Sequence, residues 1–196
     1  MRARVVIVVV GLLAVLLPAA AWSQPHWDVT AYAGVSPWVR TGFLDLDDAS
    51  DSATPVLGVA VERALAGPLA VEGDLQWLPG FLERSGSDSL LTRSSLVVAS
   101  ANLVGRVRAG SRLAPRAAIG IAAVHFSAQD RLSAFDHDST LLGVTASGGV
   151  VVRITGHVGA RFDVRFLRTQ RDTTLGLFDD AYVDLAQITF GINIGW

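Results

Sequence analysis

The chain has 196 residues and no Cys, so neither a disulfide staple nor a thiolate metal site is available to it. Its 16 basic residues are all Arg and stand against 18 acids, a formal net charge of -2 that argues against a nucleic-acid partner. Mean hydropathy is +0.42, and beyond the first segment the apolar residues come in alternation rather than in long runs, which is what a lipid-facing barrel needs.

The opening MRARVVIVVVGLLAVLLPAAAWSQ sets Arg2 and Arg4 before an apolar run from Val5 to Leu17, then small residues. That order predicts a secretory signal peptide over residues 1–23, cleaved near Ala21 or after Ser23. A retained membrane anchor is the alternative, but the run ends in small residues and not in a basic flank. Residues 24–196 are then expected to form one domain.

From Trp27 to Val35 the odd positions are Trp, Val, Ala, Ala and Val, set against Asp28, Thr30, Tyr32, Gly34 and Ser36. Period two predicts a strand. After the polar stretch TGFLDLDDASDSATP comes VLGVAVER, with Leu57, Val59 and Val61 opposite Gly58, Ala60 and Glu62. The short ALAGP leads to LAVEGDLQW, where Glu72, Asp74 and Gln76 share one face and Leu75 and Trp77 the other. A long connection, PGFLERSGSDSLLTRS, precedes SLVVASANLVGRV, and a basic turn around Gly110 precedes RAAIGIAAVHF. The polar loop SAQDRLSAFDHDST leads to LLGVTASGGVVVRI, separated only by Thr155 and Gly156 from HVGARFDVRFL. A last loop, RTQRDTTLGLFDDA, delivers the chain to QITFGINIGW.

Eight strands are predicted, with long and short connections in strict alternation. Spanning strands of about 9 to 11 residues would use on the order of 80 residues, leaving the balance for loops and turns. A soluble meander has no reason to gather all its long loops at one end. An even strand number, long extracellular loops and tight periplasmic turns describe an eight-stranded antiparallel up-and-down transmembrane β-barrel of a bacterial outer membrane. Trp27 and Trp196 fall at the turn end and Trp38 and Trp77 at the loop end, where aromatic girdles sit at the headgroups.

The repeated strand pattern, the penultimate HVGARFDVRFL and the terminal ITFGINIGW resemble the small outer-membrane β-barrel family that includes the OmpA transmembrane domain and OmpX-type proteins. The likeness spans nearly all of residues 27–196 and is one of pattern, without a catalytic fingerprint. It implies a structural or surface-interaction role and no enzymatic activity, with outer-membrane lipid, lipopolysaccharide and an unidentified extracellular ligand as partners. It also implies that Phe190, Ile192, Ile194 and Trp196 form a signal read by the barrel-assembly machinery. The periplasmic peptidoglycan-binding domain of the larger OmpA proteins is not implied.

Parity turns Glu62, Glu72, Asp74, Arg106, Arg153, Arg161, Asp163 and Arg165 toward the barrel interior, four acids against four bases. Eight strands leave a lumen that side chains can fill, so these charges are expected to pair as a polar plug in place of the usual hydrophobic core. A gated ion path is the sharper alternative.

Two other groups invite a chemical reading. His125 and Ser127 share the outward face at the loop end of their strand and faintly resemble the His and Ser of outer-membrane lipid A deacylases. That likeness would make His125 a base, Ser127 a nucleophile and Asp136 or Asp138 the orienting acid. Ala128 stands where that family has Asn, and no orienting Glu is apparent, so a strand-end polar pair is the plainer expectation. The acidic loop with Asp45, Asp47, Asp48 and Asp51 lacks the Gly and closing Glu of an EF-hand and is read as solvated surface. Arg106, Arg108, Arg112 and Arg116 bracket one periplasmic turn and are read there as solvated, with anionic phospholipid headgroups as an alternative contact. No metal site and no cofactor are expected.

Overall fold

The computed structural model describes residues 26–41, 53–80, 91–107, 112–130, 136–170 and 182–196. The expected leader with its cleavage site, Arg108, and the acidic stretch with Asp45, Asp47, Asp48 and Asp51 lie outside the described residues.

Eight strands run β1 (Trp27–Thr41), β2 (Thr54–Ala64), β3 (Leu69–Pro79), β4 (Leu91–Arg106), β5 (Leu113–Asp130), β6 (Asp136–Arg153), β7 (Val158–Thr169) and β8 (Val183–Gly195). Each pairs antiparallel with its sequence neighbours, and β8 returns to β1 through a register from Asp28↔Gly195 to Thr41↔Val183, closing the barrel. Closure removes both sheet edges, which in hydrocarbon would be rows of unpaired amides.

The alternation decides which face is which. In β3 the buried positions are Ala70, Glu72, Asp74, Gln76 and Leu78, while Leu69, Val71, Leu75 and Trp77 are exposed. Across the middle of the described strands the outer wall is apolar: Ile119 is 70% exposed, Ile121 69% and Phe190 60%. Apolar surface on this scale needs a partner other than water, and for a closed barrel that partner is lipid.

β1 changes phase once. Even positions through Ser36 face inward, then the register against β8 shifts between Val35 and Trp38, so that Trp38 stays outside and Val39 is buried. Pro37 has no amide to offer the ladder, and a bulge accommodates it there. The Ser36 hydroxyl secures the bulge, its single proton lying within reach of the Ala186 carbonyl at 2.9 Å and the Trp38 carbonyl at 3.2 Å.

β4, β5 and β6, at 16, 18 and 18 residues, outreach the 11-residue β2 and β3. They take in 91–94, 127–130 and 136–140, all read as loop from their polarity. Beyond the apolar band a ladder continues wherever two strands still face each other, whatever their side chains. At the other end the turns are tight. Gly67, at φ 57°, allows the chain to reverse between β2 and β3, where Leu65 N donates to Leu69 O at 2.9 Å.

Close packing of the inner wall makes a testable contrast. A Cβ on Gly149 would collide with the Asp163 carboxylate and the Phe162 carbonyl, whereas one on the exposed Gly73 meets nothing within 4 Å. Gly149→Val should therefore destabilise the folded barrel by about 1 to 3 kcal/mol, and Gly73→Val by under about 0.5 kcal/mol. The temperature at which the folded gel band gives way to the unfolded one measures both.

Candidate functional site

The lumen is divided into two levels. The turn-end half is charged, because β3 and β7 both alternate ionisable residues inward: Glu72 and Asp74 from β3, Arg161, Asp163 and Arg165 from β7. These strands stand on opposite sides of an eight-stranded wall, so their side chains meet across the bore. Arg161 Nη1 reaches Glu72 Oε2 at 2.7 Å while its Nε donates to Asp163. Arg165 Nη1 reaches Asp74 Oδ1 at 2.5 Å, with its guanidinium 6.0 Å from the centre of the Tyr32 ring.

Arg116 is the hub. Its Nη2 lies 2.8 Å from Glu72 Oε2 and 3.4 Å from Glu62 Oε2, and its Nη1 lies 3.0 Å from Asp163 Oδ2. Nearer the turn end, Arg106 bridges Asp28 at 2.7 Å and Glu62 at 3.0 Å. Neutral donors satisfy further lone pairs: the Tyr32 hydroxyl and the Gln76 amide donate to Asp74 at 2.6 and 2.7 Å, and Asn102 donates to Glu72 at 3.3 Å. Planar guanidinium forks suit such a lattice, since each presents donors to two carboxylates at once.

The loop-end half is apolar. Val56, Leu78, Leu96, Val98, Val124 and Leu185 are fully buried and belong to one cluster that also takes in Phe126, Leu141 and Leu167. The expectation of a polar plug in place of a hydrophobic core is thus corrected: charge fills one half of the bore and hydrocarbon the other. The strands near the loops carry Leu and Val at the inward parity, as Leu78 follows Gln76 and as Leu96 and Val98 precede Ser100.

Two further placements differ from the sequence reading. Arg153 is exposed, not interior, since it ends β6 where the bore opens at the turn end. Arg116, read as solvated in a periplasmic turn, is 5% exposed and sits at the centre of the ion network. It shares the parity of Ala118, Gly120 and Ala122, so the signal was present. Asp28 and Tyr32, also inward by parity, had not been counted among the interior groups.

His125 and Ser127 lie side by side on the outer face of β5. His125 Nδ1 is 3.1 Å from Thr140 Oγ1 on β6, and Ser127 Oγ is 2.9 Å from Ser95 Oγ on β4. Their described partners are thus cross-strand hydroxyls, and the side chains of Asp136 and Asp138 are not among the described groups. No three metal-ligating side chains converge among the described residues. Trp27, Trp38, Trp77 and Trp196 all face outward, the first and last joined through their backbones at the β1–β8 seam. Phe190, Ile192 and Ile194 form the lipid face of β8.

Removing one fork should leave carboxylates buried without a counter-charge. Arg161→Ala is expected to destabilise the barrel by about 3 to 5 kcal/mol, the usual loss when a buried pair is broken. Arg153→Ala, at an exposed position, should leave the unfolding temperature unchanged in the same gel assay.

The same architecture recurs among solved structures. Neisserial surface protein A matches at a TM-score of 0.66 and 12% identity, covering 88% of this chain and 99% of that one. Ail, the attachment invasion locus protein of Yersinia pestis, solved with the heparin analogue sucrose octasulfate, matches at 0.58 and 10%, covering 89% and 100%. The N-terminal β-barrel domain of Pseudomonas aeruginosa OprF matches at 0.55 and 11%, covering 88% and 100%. At these identities the likeness is one of fold. No curated protein sequence matches the chain. A family model described as outer membrane protein beta-barrel domain matches residues 5–196, and the chain belongs to that family of bacterial outer-membrane barrels.

Proposed function

We propose that this barrel serves the outer membrane as a structural and surface-interaction protein, with a closed bore and its loop end as the contact surface. The filled lumen carries this reading. A solute entering from the loops meets fully buried Leu78, Leu96 and Leu185, and below them a cross-braced ion lattice in which every guanidinium is engaged by carboxylates. Transport would require both levels to rearrange. The connections after β1, β3 and β7 are long, whereas β5 and β6 carry their ladder out to a short link at 131–135, so the expected strict alternation of long and short connections fails there. The loop end is still the larger surface, and binding residues concentrate on such segments held by a rigid scaffold.

The loop-end segments are rich in Asp, with Asp45, Asp47, Asp48 and Asp51 in the first alone. A sulfated ligand such as the one bound by Ail does not suit that charge; cationic surfaces, or lipopolysaccharide bridged by divalent cations, do. The reading includes removal of residues 1–23 and recognition of Phe190, Ile192, Ile194 and Trp196 by the assembly machinery. It assigns no enzymatic role to His125 and Ser127. Release of fatty acid from lipid A by the purified protein, abolished in Ser127→Ala, would replace it with a hydrolase.

Outer membranes from cells making the chain should contain a protein that migrates faster unboiled than boiled. The purified barrel should give no single-channel steps in planar bilayers. Regular, reproducible steps would make it a pore, and a soluble periplasmic protein without a migration shift would overturn the membrane assignment of its outer face.

A further inference from the structure

The two ends of the barrel differ in charge. Apart from Asp28, Glu62, Glu72, Asp74 and Asp163, every acid in the chain lies in the loop-end segments. The turn end carries Arg63 in β2, Arg106 at the close of β4, Arg112 just before β5 and Arg153 at the close of β6. The acids nearest this end, Asp28 and Glu62, are buried and already engaged by Arg106 and Arg116. Arg63, Arg112 and Arg153 are exposed. Among the described side chains, the rim therefore presents cations whose neighbouring Asp and Glu carboxylates are used up inside.

Exposed apolar residues lie at the same level of the wall. Arg63 stands 5.2 Å from the centre of the Trp27 ring, and that ring faces the hydrocarbon side of the wall. Arg112 adjoins Leu113, 47% exposed, and Arg153 adjoins Ile154, 66% exposed. The backbones of Arg112 and Arg153 are themselves joined, Arg153 N donating to Arg112 O at 2.7 Å, which roots both arginines in one sector of the rim. Like charges rooted in one sector raise the local positive potential, which favours an anion there. An arginine whose stem lies on apolar surface beside an interfacial Trp holds its charge at headgroup depth.

We infer that the turn-end rim is a lipid-binding collar, in which Arg63, Arg112 and Arg153 take the phosphates of anionic phospholipids in the periplasmic leaflet. The occupant must offer an anionic head and an apolar chain together, because Arg63 lies against the exposed Trp27 ring and the residues that follow Arg112 and Arg153 in the chain, Leu113 and Ile154, are exposed hydrocarbon. A soluble polyanion would use the first and leave the second wet. The inference rests on the membrane-spanning fold and goes beyond the role of the loops. It is independent of whether the bore conducts.

The test places the folded barrel in nanodiscs of equal parts phosphatidylcholine and phosphatidylglycerol and reads, by native mass spectrometry, which lipids remain attached on release. The wild type should retain phosphatidylglycerol several-fold over phosphatidylcholine, with the preference falling as salt is raised. The triple variant Arg63→Gln, Arg112→Gln, Arg153→Gln should lose the preference while keeping its heat-modifiable migration. Should the triple variant fail to fold, each single variant is expected to lose part of it. Arg168→Gln, exposed at the loop end, should leave it intact. Equal retention of the two lipids by the wild type overturns the inference, as does a preference that survives the triple variant. Displacement of the lipid by inorganic polyphosphate, with binding of polyphosphate to barrels in pure phosphatidylcholine, would assign the rim to a soluble anion instead.

Discussion

A strand crossing hydrocarbon has nowhere to send its amides except to another strand. That constraint makes the β1–β8 ladder obligatory and every other feature of this protein secondary to it. Once the sheet closes, the outer face must match lipid, and whatever cannot face lipid is confined to the bore. The protein is inverted relative to a soluble domain: Ile119, Ile121 and Phe190 lie outside, while Glu72, Asp163 and Arg165 lie inside.

Confinement explains why the interior tolerates so much charge. An isolated carboxylate in such a bore would be costly, but none of these is isolated. Arg116 ties three acids from three different strands, and the β3–β7 pairs brace the wall across its full width. The mainly apolar half above needs no ion pairs of this kind and is filled by packed Leu, Val and Phe side chains. Two solutions to the same filling problem are stacked in one cylinder, and they meet near Gln76 and Gln187, both buried amides.

The fold was legible because period-two patterning is strong wherever one face meets lipid and the other meets a polar lumen. Glu72, Asp74 and Gln76 on one side of β3, with Leu75 and Trp77 on the other, leave little choice. Strand ends were less legible, since the polar residues at 127–130 and 136–140 pair by backbone geometry that carries no compositional mark. The bulge at Pro37 was hidden for a related reason: proline announces a break in the ladder but not which residue will be skipped. Within the lumen, Arg161 and Arg165 were found by parity alone. Arg116 was missed because its sequence neighbours Arg106, Arg108 and Arg112 made it look like part of a basic turn. Arg153 was misplaced because parity gives a direction, not a depth. The apolar upper half is harder to read, because Leu78 and Leu96 at the inward parity look no different in composition from the leucines that face lipid.

The lumen's charges are sorted along the chain. Strands β1 to β3 contribute Asp28, Glu62, Glu72 and Asp74, all acidic, whereas β4 to β7 contribute Arg106, Arg116, Arg161 and Arg165 with the single acid Asp163. Partners such as Arg161 and Glu72 are 89 residues apart. A half-built barrel would therefore bring a one-signed inner surface to the membrane, anionic if the first strands entered alone and cationic if the last did. Neutrality arrives only when both halves come round to face each other. The electrostatics oppose stepwise insertion and favour a concerted one, so the order in which acids and arginines are written in the chain acts as a check on completeness.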